Sequence, residues 1–175
     1  RSVSAATPSK SRDNVYRRGV ARVLDAAARP MHDPCMSDPE NLDALRQHVR
    51  DWLDRNAPVG WREASRTQED FVKTQRDWFG KLVEAGYAIP HWPEKWPGGG
   101  RTLAEQKVIY EELAAHDCPR LLLSFVSTYH AAATLMECGT DEQQSRYLAR
   151  ILEGETWCQG FSEPGAGSDL AAIKT

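Results

Sequence analysis

The sequence predicts a mainly α-helical domain, and three observations predict it. Apolar residues recur in steps of three and four over 41–56 and again over 68–85. Two capping boxes, Thr102 with Glu105 and Thr140 with Gln143, each open a further run with helical spacing. Gly86, Gly139 and Gly154 stand where such helices should stop. The expected organisation is a leader over 1–36, a helical domain over 37–156, and a different kind of structure over 157–175.

The leader, Arg1 to Pro34, is rich in Ser, Ala and Arg and lacks sustained apolar periodicity, apart from a weak helical pattern at Val15 to Ala28. It reads as a disordered, targeting or non-native arm, with Met36 as an alternative start. Ser37 and Glu40 form a capping box there, and Pro39 suits a first helical turn. The first helix follows through Leu42, Leu45, Val49, Trp52 and Leu53, until Pro58 and Gly60 end it. The second carries Phe71, Trp78, Phe79, Leu82 and Val83 and closes at Gly86.

Ala88 to Gly100 holds Pro90, Pro93 and Pro97 with Trp92 and Trp96, a composition that excludes regular structure. It reads foremost as a rigid connector whose indoles cover the core, and secondarily as a wall of a ligand pocket. A third helix runs from Thr102 to about His116, with Leu103, Val108, Ile109 and Leu113. Beyond Pro119, residues 121–138 are apolar on nearly every face but interrupted by Ser124, Ser127, Thr128, His130 and Thr134. A membrane span needs about twenty predominantly apolar residues, so this segment is expected to be a helix buried on all sides of a bundle. A last helix spans Asp141 to about Leu152.

A net charge of -3, from 22 basic and 25 acidic residues, provides no positive field for nucleic acid or an anionic membrane. Cys35, Cys118, Cys138 and Cys158 are widely spaced and free of Cys-x-x-Cys pairs, so they read as free thiols of a cytoplasmic protein, with no metal site. His48, His91 and His116 lie apart and are expected to be surface or interhelical hydrogen-bonding groups. The polar interruptions of the first thirty residues argue against a secretory signal.

The helical pattern gives way at Trp157-Cys-Gln-Gly-Phe-Ser-Glu-Pro-Gly-Ala-Gly-Ser-Asp169. Glycine lets backbone approach a ligand closely and aim N–H groups at its oxygens. A dinucleotide turn starting at Gly165 and Gly167 would need a third glycine where Leu170 stands, and a phosphate loop starting at Gly160 would need Lys and Ser or Thr where Ala166 and Gly167 stand. Both patterns fail.

Phe161-Ser-Glu-Pro-Gly-Ala-Gly-Ser-Asp169, followed by Leu-Ala-Ala-Ile-Lys-Thr175, resembles the signature that opens the middle domain of flavin-dependent acyl-CoA dehydrogenases, and the resemblance extends back about a hundred residues. It implies a helical N-terminal domain followed by the truncated start of a β-barrel-like middle domain. It implies FAD as cofactor, with Gln159, Gly160, Phe161, Ser162, Glu163, Pro164, Gly165, Ala166, Gly167 and Ser168 lining it. Ser162 sits where the family has Thr or Ser bonding the flavin ring, and Ser168 where it meets the acyl-CoA substrate. Gln159 departs from the aromatic residue common at the start of this loop.

The implied reaction is α,β-dehydrogenation of an acyl-CoA thioester, with electron-transfer flavoprotein or a similar acceptor as partner and a homo- or hetero-oligomer, dimer or tetramer, as the assembly. The helix over 121–138 matches the one that borders the family's acyl groove. No catalytic residue of the family maps onto these positions, since its glutamate base lies far downstream and none of Glu137, Glu153, Glu155 or Glu163 occupies a matching place. A non-catalytic binding or assembly subunit of a heteromeric dehydrogenase, and an acyl-CoA oxidase, are the alternatives. The Trp157-to-Pro164 segment is also similar to bacterial members acting on bulky, branched or sterol-derived acyl groups.

Overall fold

A computed structural model describes residues 39–96 and 99–174, in which six α-helices are joined by one π-turn. They are α1 (Pro39–Asn56), α2 (Trp61–Ala64), α3 (Gln68–Ala85), α4 (Leu103–Ala115), α5 (Ala132–Cys138) and α6 (Asp141–Leu152), with the π-turn at Val126–Ala131 leading directly into α5. The arm, Cys35 and the Ser37 end of the first capping box lie outside the described residues.

α3 begins and ends where its chemistry dictates. The Thr67 hydroxyl accepts the Asp70 N–H at 3.1 Å, and Gly86 closes the helix at φ 75°, a left-handed conformation that a side chain would strain. Both later capping boxes form: Thr102 and Glu105 exchange bonds at the start of α4, as do Thr140 and Gln143 at the start of α6.

The core is the sum of the inward stripes. Val49 and Leu53 of α1, Trp78, Phe79 and Leu82 of α3, Ile109 of α4 and Leu148 and Ile151 of α6 form one buried cluster. The Trp-Pro connector belongs to this core, for Ile89 and Trp92 are fully buried and Trp96 packs edge-on against Trp92 at 6.0 Å between ring centroids. Two inter-helix polar ties accompany it: α1 grips α4 through Arg46, Arg50 and the buried Glu112, and His116 meets Asp54 at 3.2 Å. His116 and His91 are thus the hydrogen-bonding groups expected of them, and His48 is exposed.

One expectation is corrected, and one element went unforeseen. Residues 121–138 do not form one helix buried on all sides. Residues 122–124 form a turn instead, in which the buried Gln75 side chain accepts the Leu122 N–H at 2.8 Å, supplying a partner that a longer helix would otherwise provide. Leu122 of the turn is left at 66% exposure, and Phe125 and Tyr129 of the helical part at 49% and 38%, so part of the apolar run is uncovered by the described residues. The short helix α2 went unforeseen, because four residues carry no period to read. Over 157–174 the β pairing among the described residues is the isolated bridge between Glu163 and Ala166. A strand needs a neighbour to accept its ladder, and none is present among these residues.

Candidate functional site

Gly154, at φ 87°, turns the chain out of α6, and Glu155 N–H reaches back to the Arg150 carbonyl at 2.9 Å. The chain then crosses the π-turn. The Ser127 hydroxyl donates to the Glu155 carbonyl at 3.1 Å and accepts the Trp157 N–H at 2.9 Å. The Trp157 indole lies edge-on to the Tyr147 ring of α6, 5.5 Å between centroids. From this double anchorage the segment 158–169 runs outward with little regular structure.

Within it, the structure brings Glu163 and Ala166 together. Each donates its N–H to the other's carbonyl, at 3.1 and 3.0 Å, closing a four-residue turn across Pro164 and Gly165 and burying the Ala166 methyl. The Glu163 carboxylate accepts the Lys174 N–H at 3.0 Å, tying the turn to the chain that follows.

The remaining expected site residues stay apart from the rest of the fold. Gln159, Gly160, Phe161, Ser162, Gly167 and Ser168 are exposed, and Phe161 reaches 81% exposure. A Cβ added at Gly160, Gly165 or Gly167 would meet nothing within 4 Å, so no close approach to the described protein explains these glycines. The stretch therefore offers backbone N–H groups and two serine hydroxyls, Ser162 and Ser168, outward. That donor set suits a ligand edge rich in acceptor oxygens and ring nitrogens.

A second polar cluster flanks the π-turn. Tyr129 donates to the Tyr110 hydroxyl at 3.1 Å, Tyr110 lies 2.9 Å from His91 Nδ1, and the His91 ring stacks on Tyr129 at 4.6 Å. Burial pushes Tyr110 well above the usual phenol range, so it remains a donor, and burial likewise lowers His91 against the opposing hydrogen bond to the Thr128 carbonyl. Phe125 extends the stack outward from Tyr129 at 5.3 Å. Among the described residues, no group of His, Cys, Asp and Glu could hold a metal ion, and no helix is long and apolar enough to cross a membrane.

Ser127 is the residue that sequence reasoning passed over. It was visible only as a polar interruption in an apolar run, yet a fully buried hydroxyl demands partners, and that demand was the available signal.

Comparison with known proteins adds four findings. The pattern described as acyl-CoA dehydrogenase, N-terminal domain, matches residues 39–155. The chain is 38% identical over 143 residues to the acyl-CoA dehydrogenase IpdE1 of Mycobacterium tuberculosis, covering 78% of this chain and 37% of that protein. It is 47% identical over 95 residues to the acyl-CoA dehydrogenase FadE34 of the same organism, covering 54% of this chain and 13% of that one. Among solved structures it is similar to the ChsE4-ChsE5 complex from Mycobacterium tuberculosis, with a TM-score of 0.57 and 29% identity over 84% of this chain and 35% of that one. The chain thus spans about a third of the length of relatives such as IpdE1.

Proposed function

The chain belongs to the acyl-CoA dehydrogenase family, and on that premise we propose that it supplies the helical domain and flavin loop of an enzyme that α,β-dehydrogenates an acyl-CoA thioester. The observation that carries this reading is the outward-facing donor stretch Gln159–Ser168, which leaves the helical domain immediately after the residues that the family pattern matches.

The chemistry of that donor set fits FAD. When bound, FAD supplies the acceptor for the hydride leaving the β-carbon. The chain's own part is positioning. Ser162 and the N–H groups of Gln159 to Ser162 would hold the ring edge and stabilise charge arriving there, with Phe161 covering an apolar face. Ser168 would hydrogen-bond the acyl-CoA. The exposed face of Leu122, Phe125 and Tyr129 would border the acyl groove, since it offers apolar and aromatic surface with nothing over it among the described residues.

The α-proton requires a carboxylate within hydrogen-bond reach. Glu155 is engaged by Arg150 and Glu163 by the Lys174 N–H, which leaves neither poised for that work. We assign the base to the part of the protein corresponding to the remainder of its relatives' length. Electron-transfer flavoprotein or a similar carrier would reoxidise the flavin, in an oligomeric cytoplasmic enzyme. A second reading, a non-catalytic subunit of a heteromeric dehydrogenase, is favoured by one observation: the similar solved structure is a complex of two proteins, ChsE4 and ChsE5.

Ser162→Ala and Ser168→Ala, made in the complete protein, test these roles. Each should cost about 1–3 kcal/mol, the loss of one hydrogen bond to a charged or strongly polar group. Stopped-flow reduction should place the Ser162 loss in the rate of flavin reduction and the Ser168 loss in acyl-CoA affinity. Wild-type values for both variants would remove the loop from the site.

A further inference from the structure

We propose that Ser127 is the positioning residue for the glycine-rich loop, and that the π-turn of Val126–Ala131 is the device that brings it there. The inference rests on the functional reading of that loop. Ser127 and Ala132 are both fully buried although five residues apart. In an α-helix, residues five apart point about 140° away from each other around the axis. Here the Ala132 N–H bonds to the Ser127 carbonyl, an i to i+5 pairing whose wider turn narrows that angle.

Without that extra residue in the turn, the Ser127 hydroxyl would not face the chain leaving α6. With it, one hydroxyl uses both its capacities, donating to Glu155 and accepting from Trp157. The π-turn is itself held by two further bonds, in which the Trp92 indole N–H donates to the Thr128 carbonyl at 3.3 Å and the Thr128 hydroxyl to the Ser124 carbonyl at 2.8 Å. The next backbone bond along the loop is at Glu163. Ser127, with the Tyr147 ring against Trp157, therefore sets the point from which Gln159 to Ser162 depart, and a shift there meets no further backbone bond before Glu163.

The test uses Ser127→Ala, with Ser127→Cys as a variant of near-native volume but weak hydrogen bonding. In this chain, hydrogen exchange should show the Trp157 amide opening about tenfold faster in both variants, as for the loss of one hydrogen bond, while amides in α3 and α6 keep their protection. In the complete flavoprotein, the visible circular dichroism of the flavin should change, and its reduction rate should fall about tenfold with acyl-CoA affinity retained. An unchanged Trp157 amide would overturn the proposal, as would a faster amide with unaltered flavin dichroism and reduction. If the alanine variant loses its helical spectrum, the cysteine variant carries the comparison. If no acyl-CoA reduces the wild-type protein, the functional reading falls, and amide exchange with flavin dichroism still decides the role of Ser127.

Discussion

Trp92→Ala is expected to destabilise the helical domain by about 3–5 kcal/mol, the usual range for deleting a large buried aromatic side chain. Trp92 is 1% exposed, packs edge-on against Trp96 and spends its indole N–H on the Thr128 carbonyl. Truncation removes the packing, leaves a void that the neighbouring helices cannot fully close, and strips a buried carbonyl of a partner. Urea denaturation followed by far-UV circular dichroism should show the midpoint falling with little change in slope. A variant of native stability but weakened ligand binding would instead make the Trp-Pro connector a pocket wall.

Glu112→Ala carries the second large effect. The Glu112 carboxylate receives Arg50 Nε and Arg46 Nη1, each at 2.6 Å, across the α1–α4 contact. Hydrogen bonding from Arg50, with Arg46 behind it, holds its carboxyl below the usual range although burial acts in the opposite sense. Both arginines keep partial access to water, which discounts the cost of orphaning them, so we expect a loss of about 2 kcal/mol near neutral pH. The pH dependence follows from the depressed folded value. The unfolded state takes up its proton first, at about pH 4, so the contribution is complete above that pH and is lost as pH falls through the folded value. The stability gap between wild type and Glu112→Gln should therefore narrow on acidification. A gap constant from pH 7 to pH 3 would show that the ion pair contributes no charge-dependent stability.

How much of this was legible in the sequence depended on how local each cause was. α3 was readable to its ends because its apolar stripe, and Gly86 beyond it, lie within the helix or next to it. The capping boxes were readable for the same reason, each being a four-residue device. Residues 121–138 were misread because apolar side chains on every side look alike whether the protein covers them or leaves them open, as with Phe125 and Tyr129. The turn that delays this helix depends on Gln75, which lies 47 residues before Leu122 in the chain.

The candidate site divides along the same line. The loop announced itself by composition, glycines and serines in one short run. Its anchor did not, because Ser127 and Trp157 are 30 residues apart and meet only through the π-turn. Nothing in residues 121–138 spells out the π-turn of Val126–Ala131.

Anaerobic titration of the complete, FAD-loaded protein with a panel of acyl-CoA thioesters tests the central claim most directly. The panel runs from short straight chains to bulky branched and ring-bearing acyl groups, and the flavin absorption band is followed throughout. The account predicts stoichiometric bleaching by at least one thioester, with the enoyl-CoA formed in equal amount. A protein that binds FAD, carries the carboxylate base and yet is bleached by no acyl-CoA would contradict the dehydrogenase reading and leave the non-catalytic subunit in its place.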